Sequence, residues 1–186
     1  MKLILASASP RRKELLASLD LDFTVDARTS FEERIPEGMA CEDIPLYLSE
    51  GKSLGFHRPL QDDELLITAD TLVFLGDEAL GKPKDREDAI RMLQELSGVE
   101  HRVITGVTLR TTQTTRSFID TTLVRFAPLS ERDICYYIDT YRPYDKAGAY
   151  GIQEWIGSAA IEGITGSYHN VMGLPTEKLY SALHAL

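Results

Sequence analysis

The chain reads as an α/β or α+β protein, a mixed β-sheet flanked by helices. Three features predict this. Apolar runs of strand length alternate with segments whose apolar residues recur at helical spacing. Two long strand-like segments stand side by side across a polar turn, which makes a local hairpin. Other strand candidates are separated by whole helices, which makes crossovers.

Lys2-Leu3-Ile4-Leu5-Ala6 is an apolar run that predicts a buried strand over 2–6. Ser9 is a natural N-cap and Pro10 suits the first helical position, so a helix follows over 10–19 with Leu15, Leu16 and Leu19 at helical spacing. Phe23-Thr24-Val25 predicts a short strand. Residues 26–40 are polar and turn-rich, with Glu32-Glu33 and Pro36-Glu37-Gly38, and read as a long loop. A helix is expected from about 42 to 55, with Ile44, Leu46, Tyr47, Leu48 and Leu54 apolar, and Pro59 ends that region. Residues 65–76 are strongly strand-like and turn at Gly76-Asp77-Glu78. Asp85 caps a helix over 86–97, whose apolar face is Ala89, Met92, Leu93 and Leu96, and Gly98 ends it. Strands over 101–111 and 116–127 pair across a turn of Thr and Gln. Ser130 caps a helix that runs to Tyr141, and Pro143 lies beyond it. Residues 144–173 read as a Gly-rich loop region around a short strand near 159–164. Pro175 opens a final helix with Leu179 and Leu183 inward.

At 186 residues a single domain over 1–186 is the default, elongated or two-lobed around a central cleft. A hydrophobic fraction of 43% fills an ordinary core without staples. The net charge of −9 argues against a nucleic-acid polymer as partner. A small anionic ligand is still allowed, because a local basic cluster overrides the global sign. Cys41 and Cys135 form no C-x-x-C pair, so neither zinc nor a disulfide framework is suggested. The leading apolar stretch is too short for a signal peptide, and no segment approaches transmembrane length. A cytoplasmic protein without a membrane partner is expected.

The most informative local feature is a broken rule. Arg11, Arg12 and Lys13 fall in the first helical turn, next to the positive end of the helix dipole. Exposed amides, the small hydroxyls of Ser7 and Ser9, and paired arginines at one strand-to-helix turn make a seat for phosphate. Asp70 interrupts the apolar run from Leu65 to Leu75. It is either a strand-end residue bonding a turn amide, or a general base or metal ligand held in a cleft. Gly81-Lys82-Pro83 precedes a helix, and Lys82 is either a loop lysine or a point charge on a phosphate. Gly51-Lys52-Ser53 imitates the end of a P-loop, but Leu46 stands where a glycine is required and the segment reads as helix. Lys52 reaches phosphate only from a helix face. Glu32 and Glu33 are solvated acids or supply a ligand to Mg²⁺, which needs only one or two carboxylates.

Residues 144–153, Tyr-Asp-Lys-Ala-Gly-Ala-Tyr-Gly-Ile-Gln, form a second dense segment. The amide of Gln153 either reads a base edge or satisfies loop backbone. Gly166-Ser167-Tyr168-His169-Asn170 offers another turn with hydroxyl and amide groups. The four histidines have no metal spacing, and no nucleophile elbow or dinucleotide fingerprint is present. Two basic clusters and two acidic positions without a nucleophile fit metal-assisted attack of water on a phosphoanhydride.

With these residues in place the chain resembles the Maf family of nucleoside triphosphate pyrophosphatases. The matching pieces are Leu5-Ala6-Ser7-Ala8-Ser9-Pro10-Arg11-Arg12, Ala69-Asp70-Thr71, Gly81-Lys82-Pro83, Leu96-Ser97-Gly98, the run from Asp145 to Gln153 and the run from Gly166 to Pro175, in family order from end to end. The resemblance implies cleavage between the α and β phosphates of a free nucleotide, an elongated mixed α/β fold similar to inosine-triphosphate pyrophosphatases (the Maf/Ham1 fold), a divalent metal (Mg or Mn) and often a homodimer. It implies Asp70 as proton acceptor and links specificity to Arg12, Thr71 and Gln153, a combination similar to the dTTP/UTP branch. On that basis Ser7, Arg11, Arg12, Lys52 and Lys82 are expected to hold the triphosphate. Glu33 and Asp70 are expected at the metal, and Thr71 and Gln153 at the pyrimidine. The alternative function is a nucleotide-binding regulator of septum formation with little turnover. A sanitiser of modified purine nucleotides ranks third. The chain departs from the family pattern at Gly51, inside the helix around the central lysine, and at Glu154-Trp155, where small residues are common.

Overall fold

The computed structural model describes residues 1–185. Its strands are β1 (Lys2–Leu5), β2 (Phe23–Val25), β3 (Glu64–Leu75), β4 (Glu78–Leu80), β5 (Glu100–Arg110), β6 (Thr115–Phe126) and β7 (Ile161–Thr165). They form one mixed sheet in the order β2-β1-β3-β5-β6-β7, with β4 paired to β3. β1 runs parallel to both β2 and β3, while β4 and β7 run antiparallel to β3 and β6. The helices are α1 (Pro10–Ala17), α2 (Ile44–Leu54), α3 (Arg86–Leu96), α4 (Glu131–Tyr141), α5 (Trp155–Ala160), α6 (Tyr168–Met172) and α7 (Thr176–His184). The expected mixed sheet flanked by helices is therefore present.

The chain divides into two compact units. The first takes Met1–Thr71, Thr105–Asp120 and the segment from Gly173 onward; the second takes Leu72–Ile104 and Thr121–Met172. In the first unit Ser9 caps α1 by accepting the Arg12 amide. Ile4, Phe56, Leu60 and Leu66 form a small buried cluster. Helix α2 is bound to the strands beneath it by a chain of buried hydroxyls. Thr68 donates to the Ser49 carbonyl at 2.7 Å, and the Ser49 and Thr108 hydroxyls lie 2.8 Å apart. A Cβ at Gly106 on β5 would come within 2.4 Å of the Pro45 carbonyl group, so the start of α2 rests directly on that backbone.

The second unit packs α3 and α4 around Leu93, Leu96, Val103, Phe126, Ile134 and Ile138. His101 lies among them, bonded to the Tyr150 hydroxyl at 2.7 Å. Burial holds its imidazole neutral, pushing the pKa down to about 4.

The structure differs from the sequence expectation in the short elements. β4 has three residues and exists through its antiparallel partners Val73, Phe74 and Leu75. Residues 155–160 are helix rather than loop and strand. Ile156 and Ala160, four apart, are both buried, and Gly157 sits against the Ile152 carbonyl oxygen, where a Cβ would fall at 1.7 Å. The strand expected near 159 begins at Ile161, and α6 is a further short helix.

Replacing Gly106 by Ala drives a methyl group into rigid helix backbone. The substitution should lower unfolding free energy by about 1–3 kcal/mol, the usual range for overpacking. Urea unfolding measures it, and an unchanged midpoint would mean that α2 does not rest on β5 in this way.

Candidate active site

Four of the phosphate-seat residues named from sequence gather in the first unit. Ser7 follows β1, is buried, and accepts the Ser9 amide at 3.3 Å and an Arg12 guanidinium N–H at 3.4 Å. Arg12 donates from Nε to the Gly173 carbonyl at 2.8 Å and from Nη2 to Thr71 Oγ1 at 3.0 Å. Thr71 is held in turn by Thr105, 2.9 Å away. Gly173 carries a φ of +123°, a conformation suited to glycine. All three of these Arg12 partners are neutral, so fixing the side chain does not quench its charge. Burial lowers its pKa, and Arg11 adds to that. The fields of Asp70 and Glu33 push it back, and an arginine stays protonated throughout. No acid occupies the first turn of α1.

The acidic half of the site is built by α2, β3 and the loop before α2. Thr68 and Asp70, two apart on a strand, share a face. Ser49 and Lys52, three apart on a helix, also share one. The Thr68–Ser49 bond therefore brings Lys52 over Asp70. The Lys52 ammonium donates to Asp70 Oδ1 and lies 2.9 Å from Glu33 Oε1. The Asp70 side chain is 13% exposed, whereas that of Glu33 is 58% exposed. Asp70 thus bonds a lysine, not a turn amide. Glu32 pairs outward with Arg34 at 2.8 Å, which separates it from Glu33.

Gly51 explains itself here. The Phe31 ring lies on the helix at this point, and a Cβ would meet it at 2.2 Å. The Ser30 amide and the Thr29 hydroxyl bond the Gly55 carbonyl at 2.8 and 3.1 Å. These contacts press the loop onto α2 two residues before Glu33. Glycine inside a helix costs about 0.5–1 kcal/mol relative to alanine, so close packing is the reason to keep it.

The donor chemistry fits a hard divalent cation. Two carboxylates share one positive group, as they would share a metal ion, and Mg²⁺ needs only one or two carboxylates beside waters and phosphates. Among the described residues no three His, Cys, Asp or Glu side chains gather into a full cage.

In the second unit Lys82 is exposed, just after β4. The carbonyl of its neighbour Gly81 accepts the Gly148 amide at 3.1 Å, which ties this loop to the Ala147–Ala149 turn. Gln153 is exposed on the turn that precedes α5. The Gly166–Asn170 segment is structural. Asn170 is buried and donates to the Val103 carbonyl and the Thr122 hydroxyl, both at 3.0 Å.

Alanine at position 51 should displace Phe31 and loosen Glu33 from Lys52. Unfolding free energy should fall by about 1–3 kcal/mol, the usual range for overpacking, while helicity by circular dichroism holds. An unchanged urea midpoint would show that Phe31 does not rest on Gly51.

The Maf-like protein family model matches residues 2–186. The dTTP/UTP pyrophosphatase of Bacteroides fragilis is 50% identical over 185 residues, spanning all of this chain and 96% of its own length. The dTTP/UTP pyrophosphatase of Porphyromonas gingivalis is 51% identical over 184 residues, spanning 98% of this chain and 92% of its own. Among solved structures, the Ham1 protein of Staphylococcus aureus superposes with a TM-score of 0.54 at 16% identity, over 100% of this chain and 99% of that one. The HAM1 protein of Coxiella burnetii gives 0.51 at 13%, over the whole of both chains. These two likenesses share the fold. The match over nearly every residue, with relatives half identical from end to end, makes this chain a member of the Maf family.

Proposed function

We propose that the chain is a nucleoside triphosphate pyrophosphatase that hydrolyses dTTP and UTP to the monophosphate and pyrophosphate. The observation that carries the reading is the Glu33–Lys52–Asp70 group, with Arg12 in the field of both carboxylates. The names of the half-identical relatives support the substrate.

Each residue has a role that its chemistry permits. Arg12, pre-oriented by neutral partners, binds phosphate oxygens together with Arg11 and Ser7. Lys52 carries three N–H donors, so two carboxylates do not exhaust it, and an incoming polyanion competes for it. Asp70 accepts the proton that water loses as water attacks the anhydride. The bond between the α and β phosphates breaks, and pyrophosphate leaves. Lys82 is assigned to the phosphates, and Thr71 and Gln153 to the pyrimidine. Asp70 and Glu33 would hold a magnesium or manganese ion, which when bound offsets charge on the phosphates. The same reading carries one functional domain over 1–186, a homodimer and a cytoplasmic location. Among the described residues no helix is long and apolar enough to cross a membrane.

Pyrophosphate release should be assayed with dTTP, UTP, CTP and GTP in magnesium or manganese. The wild-type chain should prefer dTTP and UTP. Asp70→Asn should lose on the order of a hundredfold or more, the worth of a general base. It should still melt cooperatively, because Lys52 keeps Glu33. Wild-type turnover in that variant would remove Asp70 from the chemistry, and binding without turnover of any nucleotide would favour a regulator.

A further inference from the structure

We propose that Tyr137, Lys146 and Glu154 act as a clamp that positions Gln153, and so set base discrimination in the reaction; this rests on the function proposed above. Gln153 lies in a tight turn closed by the Glu154 amide donating to the Gly151 carbonyl at 3.0 Å. A single hydroxyl holds both ends of that turn. Tyr137, fully buried on α4, accepts the Gly151 amide at 2.9 Å and donates to Glu154 Oε2. The other carboxylate oxygen of Glu154 lies 3.2 Å from the Lys146 ammonium, which also bonds Asp145 at 2.8 Å.

The Lys146 side chain is itself buried and runs under Gly151, where a Cβ would meet its Cε at 2.9 Å. The same Cβ would lie 3.2 Å from the amide oxygen of Gln153, so that side chain folds back over the glycine. Next to Glu154, the Trp155 ring packs edge-on against Tyr136 at 5.1 Å. The turn is thus docked on two adjacent residues of α4 by Glu154 and Trp155, the pair at which this chain departs from the family pattern.

A buried tyrosine and lysine with a half-buried glutamate are costly to desolvate, and an apolar trio of the same volume is often as stable. What such a network adds is one fixed geometry. The exposed group that this geometry fixes is Gln153. Burial and the Glu154 carboxylate both raise the pKa of the Tyr137 hydroxyl, so it remains a donor across the working range.

The test compares kcat and KM for dTTP, UTP, CTP and GTP in the wild type, Tyr137→Phe, Glu154→Ala, Glu154→Gln, Gln153→Ala and the Tyr137→Phe/Gln153→Ala double variant. The dTTP-to-GTP ratio of kcat/KM should fall roughly tenfold in Tyr137→Phe and Glu154→Ala, the scale of one misplaced recognition hydrogen bond. KM for dTTP should carry most of the change. Glu154→Gln, which keeps an acceptor for the hydroxyl, should regain part of the ratio. The double variant should discriminate no worse than Gln153→Ala, because both changes act on one group. A uniform loss of kcat across all four nucleotides, or additive losses in the double variant, would overturn the clamp. Arg86→Ala, which breaks an exposed pair with Asp139 in the same unit, should leave the ratio unchanged. A wild-type chain without pyrimidine preference would instead overturn the function beneath it.

Discussion

Asp70 stands in the middle of a twelve-residue strand whose neighbours Leu66, Ile67, Ala69 and Val73 are buried and apolar. An ionised carboxylate there is tolerable only with a close partner. Lys52 is that partner, and its side chain, 18% exposed, is nearly as secluded. The rest of the first unit arranges itself around this contact. Gly106 lets α2 approach β5, the Ser49–Thr68–Thr108 hydroxyls set its register, and Gly51 admits the Phe31 ring that holds the Glu33 loop. Removing Lys52 strands Asp70 in a poorly solvated place, the condition under which such pairs matter most, whereas removing Asp70 leaves Lys52 with Glu33.

The two kinds of anchoring are distinct. Arg12 is held by a carbonyl and two hydroxyls. Lys52 is held by two carboxylates and balances them. Arg12 is bonded to neutral groups and lies in the field of Asp70 and Glu33, whereas Lys52 is bonded to both carboxylates.

Much of this was legible in the chain. Arg11 to Lys13 violate dipole preference at a capped helix start, and Asp70 violates an apolar run. Both violations fall in the candidate site, where the fold supplies Gly173, Thr71 and Lys52 as partners. The long elements follow their periodicity to within a few residues. What escaped depends on distant partners. Gly173 holds Arg12 from 161 positions away and Thr105 holds Thr71 from 34, and no local signal connects them. Gly51 looked like a weak helix position because Phe31, which fills its space, comes from a loop without periodicity. Glu33 and Glu32 are indistinguishable in sequence; only the fold turns one toward Lys52 and the other toward Arg34. β4, α5 and α6 are too short to show a repeat, and tertiary pairing decides them.

The central claim is that the Lys52 ammonium and the Asp70 carboxylate act as one coupled unit. A double-mutant cycle of unfolding free energies, with Lys52→Met, Asp70→Asn and both together, tests it most directly. The expected result is a coupling of about 1–3 kcal/mol, the double variant losing less than the sum of the singles. Simple additivity would mean that the two side chains do not depend on each other, and the account built on them would fail.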